Sequence, residues 1–143
     1  MLNAVGLQNP GMDAVIEHEV PNIAKIFQGP VIANVGGFSI DEYVENCRKL
    51  EAVDQVKLLE VNISCPNVHA GGKNFGCDPV AAAEVTAAVK AATSKPVFMK
   101  LTPNVTDIAE IARACEDAGA TAPITWATRC MYRWHVPTSI RNN

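Results

Sequence analysis

Three polar side chains occupy equivalent places, each at the end of an apolar run with strand-like composition. They are Asn34, Asn62 and Lys100. An asparagine amide left unpaired inside a protein costs ~1–3 kcal/mol, and a lysine costs more. Three such groups at equivalent strand ends therefore predict a shared polar ligand. The alternative is that each amide holds a neighbouring loop in place.

Cys65 follows the second of these strand ends directly, in a polar loop that also contains Gly71, Gly72 and Gly76. A thiol at the end of a strand is better placed for chemistry than a cysteine on the buried face of a helix, because functional groups of a parallel β/α fold lie at the carboxyl ends of the strands. The glycines predict a loop that moves over a site. Cys65 is therefore the candidate reactive residue.

Composition narrows the class of protein. The chain has 143 residues, of which 48% are hydrophobic, and 12 basic against 15 acidic side chains give a net charge of -3. Without a Lys/Arg cluster, neither nucleic acid nor an anionic membrane is an expected partner. Five cysteines without regular spacing predict reduced thiols and a cytoplasmic protein, with Cys47 and Cys115 in the core. No metal site is expected, since His69 lacks partners at ligand spacing.

Strand-like runs alternate with helix-like segments from about residue 30 to 119, which predicts an α/β fold with a parallel sheet. The carboxyl ends of parallel strands meet at one edge of a sheet, where ligands bind. The pattern predicts buried strands at 31–35, 56–63 and 96–101, and helices at 12–27, 39–52 and 78–93, with a last one capped by Thr106 and ended by Gly119.

Beyond Gly119 neither the helical nor the strand period is visible, although a fourth strand should begin near Ala120. We therefore expect two regions, 1–120 and an atypical tail at 121–143 whose composition suggests an out-of-frame gene end. Three to four β/α units cannot close a barrel, which takes eight. The chain is expected to be either a small open sheet or part of a larger barrel.

Four segments, in order and spacing, resemble dihydroorotate dehydrogenase, over roughly residues 2 to 120. They are NAVGLQNPG at 3–11, VIANV at 31–35, EVNISCPNV at 60–68 and VFMKLTPN at 97–104. The stretch at 71–79 resembles class 1B, the NAD-linked form, rather than class 1A. The resemblance implies an α/β fold that is a fragment of a (β/α)8 TIM barrel, with three to four β/α units.

The resemblance also implies a role for each matched residue. Cys65 matches the catalytic base, and the FMN-binding positions are Asn34, Asn62 and Lys100. The substrate-binding positions are Asn3, Ala4, Val5, Gly6, Leu7, Asn62 and Asn67.

The implied reaction is the oxidation of dihydroorotate to orotate in de novo UMP biosynthesis, with hydride transfer to FMN. Electrons would then reach NAD through a partner subunit carrying FAD and an iron–sulfur cluster, within a heterotetramer built on a homodimer. One alternative is the flavin domain of dihydropyrimidine dehydrogenase, against which Asn67 argues. Another is a truncated remnant without catalytic competence, and the 143-residue chain by itself is expected to be inactive.

Overall fold

A computed structural model describes residues 8–64 and 75–124 of the chain. Four parallel strands form one sheet in the order β1-β2-β3-β4, so neighbours in sequence are neighbours in space. This is the order in the wall of a barrel, whereas a doubly wound sheet reverses its order. The strands are β1 (Val31–Val35), β2 (Val56–Asn62), β3 (Val97–Lys100) and β4 (Ala122–Ile124). The connecting helices are α3 (Ile40–Glu51), α4 (Pro79–Ala92) and α5 (Ile108–Asp117).

The predicted helix at 12–27 is confirmed in an irregular form. It consists of α1 (Met12–Ala14), a π-helical turn (Val15–Glu19) and α2 (Val20–Ile26). The π turn ends two residues before Pro21, which has no N–H to donate and whose ring clashes with a regular helix interior.

Side chains before each long helix determine where it begins. Ser39 Oγ accepts a hydrogen bond from the Glu42 N–H at 3.2 Å, and the Glu42 carboxylate accepts one from the Phe38 N–H at 2.7 Å. These two bonds form a capping box at the start of the helix predicted over 39–52, with the return bond made one residue earlier than usual. Asp78 caps α4 and Pro79 is its first residue, as predicted.

The predicted cap of α5 is wrong by one residue. The N-cap is Asp107 rather than Thr106, and its carboxylate accepts hydrogen bonds from the N–H groups of Ala109 at 2.8 Å and Glu110 at 3.2 Å. An aspartate in that place reaches both free N–H groups of the first turn. At the other end, Gly119 adopts φ +98°, which confirms the predicted helix stop.

The sheet is covered by helices on one face. α4 packs against both α3 and α5, and the side chains beneath them form the core, among them Val35, Leu59, Val61, Val97 and Met99. The opposite face carries Ile32, which is 60% exposed. The prediction that residues 31–35 form a buried strand is therefore wrong, since within the described residues only Val35 of β1 is buried.

Strand β4 lies where no strand period was visible. It is three residues long and parallel to β3, with the Thr121 N–H donating to Val97 O at 2.8 Å and the Leu101 N–H donating to Ile124 O at 2.8 Å. Pro123 lies in its middle, where it has no N–H to offer a further strand. A strand of three residues that contains a proline leaves no recognisable pattern in the sequence. No helix in the described parts of the chain is long and apolar enough to cross a membrane.

Candidate ligand site at the carboxyl ends of the strands

The sheet register brings the predicted polar residues to one face. Asn34 of β1 pairs with Glu60 of β2, and Asn62 of β2 pairs with Lys100 of β3. Paired residues in neighbouring strands point to the same side of a sheet, and residues two apart along a strand do so too. Asn34, Asn62 and Lys100 therefore lie on a common face, opposite the face that the helices cover.

Asn62 is the most constrained of these residues. It is 5% exposed, and its Oδ1 accepts hydrogen bonds from the Ser64 N–H at 3.1 Å, from Ser64 Oγ at 2.6 Å and from Lys100 Nζ at 3.2 Å. Within the described residues its Nδ2 has no hydrogen-bond acceptor. The two N–H bonds of Nδ2 are therefore left without a partner among the described residues.

Lys100 has polar partners within the chain. Its Nζ donates to Ser64 Oγ and to Asn62 Oδ1, both carried by the neighbouring strand and the residues that follow it. The half-buried ammonium thus has polar partners from the chain while it adds a positive charge to the site.

Asn34 has a different partner. Its Nδ2 donates to Glu60 Oε1 at 2.6 Å, directly across from it in the register. A carboxylate can only accept when ionised, so this bond fixes which end of the amide faces Glu60. The Asn34 Oδ1 is left as an acceptor among the described residues. Sequence reasoning missed Glu60, although its charge inside a strand was a visible signal.

For Asn62 the structure shows the loop-holding role, and the shared-ligand interpretation stays a prediction. Asn62 does hold the start of the following loop, through the Ser64 N–H and Oγ. Each amide nevertheless has one end without a partner in the described residues, a donor on Asn62 and an acceptor on Asn34. Holding the loop and binding a ligand are therefore compatible, because they use opposite ends of the amide.

The backbone of Asn62 is fixed from the helix side. The buried Tyr43 hydroxyl, from α3, donates to Asn62 O at 2.9 Å. The Tyr43 ring makes an edge-to-face contact with Phe75, with ring centroids 6.0 Å apart. These two aromatic residues were not predicted as part of the site, since an aromatic residue on a helix face is most often only core.

Gly76 has a role other than the predicted one. A Cβ at this position would lie 2.3 Å from Ile63 O, so the backbone approaches β2 too closely for any side chain. Gly76 is buried. It therefore fixes the end of the loop against the strand, and the prediction that it gives the loop freedom to move is wrong.

The remaining predicted site residues lie outside the described residues. They are Cys65, Asn67, the substrate loop from Asn3 to Leu7, and the glycines Gly71 and Gly72. Cys65 follows Ser64 in the chain, so it is one peptide bond from a residue hydrogen-bonded to Asn62. The roles of these residues stay predictions.

Two other cysteines behave as predicted. Cys47 and Cys115 are fully buried, and burial raises the pKa of the Cys47 thiol to about 12 and also raises the pKa of Cys115. Such thiols stay protonated and unreactive. Cys77, by contrast, is exposed. Among the described residues no three His, Cys, Asp or Glu side chains come together as metal ligands.

The family model for dihydroorotate dehydrogenase matches residues 1–127 of this chain. The chain belongs to the dihydroorotate dehydrogenase family. It is 57% identical over 120 residues to a protein of Lacticaseibacillus paracasei named dihydroorotate dehydrogenase A (fumarate), and 56% identical over 122 residues to the catalytic subunit of dihydroorotate dehydrogenase B (NAD(+)) of Trichlorobacter lovleyi. These matches cover 83% and 85% of the chain.

The chain spans about two fifths of the length of these dihydroorotate dehydrogenases, 41% of the first and 40% of the second. Its four parallel strands in sequential order are accordingly a fragment of the (β/α)8 barrel of the family. This confirms the predicted fold class.

The match extends further in one relative. The catalytic subunit of dihydroorotate dehydrogenase B (NAD(+)) of Oceanobacillus iheyensis is 48% identical over 138 residues, which is 96% of this chain and 45% of that protein. This match crosses the predicted division at residue 120, and strand β4 lies beyond it, paired with β3. A separate origin for the residues after it stays a prediction.

Proposed function

We propose that this chain forms the sector of a dihydroorotate dehydrogenase that binds FMN and dihydroorotate, in the de novo route to UMP. The observation that carries the proposal is the cluster of Asn62, Ser64 and Lys100 at the carboxyl ends of adjacent parallel strands. Ligands of barrel enzymes bind at that end of the strands.

The polar groups of the site fit the edge of a flavin ring. That edge carries carbonyl oxygens and a ring N–H, so it needs both donors and acceptors. Asn62 offers Nδ2 donors, Asn34 offers an Oδ1 acceptor, and Lys100 adds a positive charge. When bound, FMN supplies a hydride acceptor, which none of the side chains of this protein can be. Lys100 would favour the electron-rich reduced ring.

Removal of a proton from dihydroorotate requires a base, and we assign this role to Cys65. Its place supports the assignment, because it directly follows Ser64, whose N–H and hydroxyl are both bound to Asn62. The pyrimidine would be held by Asn62 and Asn67 together with the segment from Asn3 to Leu7, whose amide groups match the amide edges of the substrate.

The route of the electrons after FMN is the finer part of the proposal. We favour transfer to NAD through a partner subunit with FAD and an iron–sulfur cluster, in a cytoplasmic heterotetramer built on a homodimer. Support comes from the NAD(+)-type catalytic subunits among the relatives. The type A relative, named for fumarate, supports the competing acceptor, fumarate.

The test is the binding of FMN to the purified 143-residue chain. After incubation with FMN and extensive dialysis, the chain should retain a flavin absorbance spectrum that orotate shifts. A chain that stays colourless with excess FMN would contradict the proposal for this chain and support the alternative of an incompetent remnant. Turnover of dihydroorotate by the complete protein, measured with NAD and then with fumarate as the electron acceptor, would decide between the two acceptors.

A further inference from the structure

The orientation of the Asn62 amide is determined by groups that can only donate. The Ser64 backbone N–H and the Lys100 ammonium both lie on Oδ1, at 3.1 Å and 3.2 Å. If the amide were reversed, its NH2 group would face two donors and both bonds would be lost. Nδ2 therefore faces away from Ser64 and Lys100.

The Ser64 hydroxyl lies between the other two groups. It has a single proton, which it donates to Asn62 Oδ1 at 2.6 Å, and it accepts a hydrogen bond from Lys100 Nζ. Lysine cannot accept, so the direction of both bonds is determined. The three side chains form a closed triangle that joins the end of β2 to the end of β3. Since the Ser64 proton is committed to Asn62, this serine is not the base.

We infer that Ser64 is a positioning residue, which holds the Lys100 ammonium and the Asn62 amide in one arrangement so that Asn62 presents donors only. For the identity of the ligand this inference rests on the proposed function, but the arrangement itself does not. The same contacts fix the residue before Cys65. Without the hydroxyl, Lys100 loses an acceptor and Asn62 loses one of three donors.

The arrangement can be tested without any ligand, by NMR of the 15N-labelled 143-residue chain. In Ser64→Ala the side-chain amide signals of Asn62 should shift, and the backbone N–H of residue 64 should exchange about fivefold faster, the effect of weakening one hydrogen bond. Ser64→Thr keeps the hydroxyl and should restore both signals. Ser94→Ala, which removes a hydroxyl bound to Glu51 at the other end of the sheet, should leave them unchanged.

Unchanged Asn62 signals in Ser64→Ala would overturn the inference, and so would failure of Ser64→Thr to restore them. Should Ser64→Ala not fold, the parent chain still decides, because a fast-exchanging Ser64 N–H there would contradict its bond to Asn62.

A second measurement tests the ligand. Ser64→Ala should bind FMN about 3- to 10-fold more weakly than the parent chain, the expected cost of disturbing one hydrogen bond to a charged network. Ser64→Thr should bind within about twofold of the parent. Equal FMN affinity in parent and Ser64→Ala would overturn the positioning role. If the parent itself binds no FMN, the proposed function fails while the NMR result still tests the arrangement.

Discussion

Each end of the sheet contains a lysine among hydroxyl and carbonyl groups. The two ends differ in which of their polar atoms lack a hydrogen-bond partner among the described residues. At the amino ends of the strands, Lys95 Nζ donates to Leu50 O at 2.5 Å and to Val53 O at 2.8 Å. These carbonyls lie where α3 ends, and each also accepts a backbone N–H, from Val53 and from Val56, both at 3.1 Å. Lys95 therefore completes the hydrogen bonding of the chain itself.

Glu51 completes the same end. Its carboxylate accepts hydrogen bonds from Ser94 Oγ at 2.5 Å, from the Ser94 N–H at 3.2 Å and from Thr93 Oγ1. The loop between α4 and β3 is thereby bound to the last residue of α3. Both charged groups at this end are occupied by contacts within the protein.

At the carboxyl ends, Asn62 and Asn34 each keep one end of the amide without a partner in the described residues, next to the Lys100 charge. A polar cluster that the chain fully satisfies contributes to stability, while one that leaves aligned donors and acceptors unsatisfied is available to a ligand. The Lys95–Glu51 cluster and the Asn62–Lys100 cluster thus differ in hydrogen-bond saturation and not in polarity, which agrees with the division of roles between the two ends of a barrel. The saturation is a property of these clusters, since the buried Gln55 Oε1 before β2 also lacks a partner among the described residues.

The largest expected effect is at Cys65, in the complete protein that contains this sequence. Cys65→Ala should reduce dihydroorotate oxidation by ~10²–10⁴-fold, the usual cost of removing a catalytic base, and leave FMN bound. Steady-state rates and flavin content measure the two. Ser94→Ala is the control from the other end of the sheet, and turnover near the parent rate in Cys65→Ala would show that another group is the base.

The same substitution at the two lysines tests the comparison directly. Lys100→Met should weaken FMN binding by ~10- to 100-fold, since a hydrogen bond to a charged group contributes ~1.5–3 kcal/mol. Lys95→Met should instead lower the free energy of unfolding by ~1–3 kcal/mol, because it removes two hydrogen bonds from a charged group to the carbonyls of Leu50 and Val53.

Flavin titration of both variants measures FMN affinity, which Lys100→Met should change, and urea unfolding measures stability, which Lys95→Met should change. If both lysines changed FMN affinity alike, or both changed stability alike, the division between the two ends would be wrong.

The regular elements and their faces were predictable from the sequence because capping residues and apolar periods are local signals. Ser39, Asp78 and Gly119 confirm this, and the one-residue error at Asp107 arose because a threonine precedes it. A fourth strand was expected near Ala120 from the alternation of elements, but Pro123 and the three-residue length of β4 erase the period that would have located it.

For the candidate site, the sequence was sufficient to predict which residues take part and that they lie at the ends of strands. Asn34, Asn62 and Lys100 do share a face, since equivalent ends of parallel strands must meet. Their partners were not predictable: that Ser64 joins Lys100 to Asn62, or that Gly76 approaches Ile63, depends on strand register and on how the loop returns to the sheet.

A smaller effect is expected at Glu51, as a dependence on pH. The hydrogen bonds from Ser94 and Thr93 lower the pKa of Glu51 to about 2 from its ordinary 4.5. A carboxyl whose pKa is lower in the folded state stabilises the fold above its unfolded pKa, and this contribution is lost as the pH falls from about 4.5 towards 2. Urea unfolding at a series of acidic pH values should therefore show a flatter pH dependence in Glu51→Gln.

Glu116→Gln is the control, because Glu116 is exposed on α5. Parallel pH profiles for Glu51→Gln and the parent chain would mean that the Glu51 contacts do not form in solution.

The smallest expected effect tests whether a polar residue serves the ligand because it has a free hydrogen-bonding group or because it lies at the carboxyl end of the sheet. Ser39 precedes α3 and follows β1, so it lies at the same end of the sheet as Asn62, but its hydroxyl is occupied by the Glu42 N–H at 3.2 Å. Ser39→Ala should lower the free energy of unfolding by ~1 kcal/mol, the usual value of a helix cap, and leave FMN affinity within about twofold of the parent. Ser39→Asp, which also caps, should recover the stability. Weakened FMN binding by the folded Ser39→Ala chain would mean that location at the carboxyl end, and not an unsatisfied group, decides which polar residues serve the ligand.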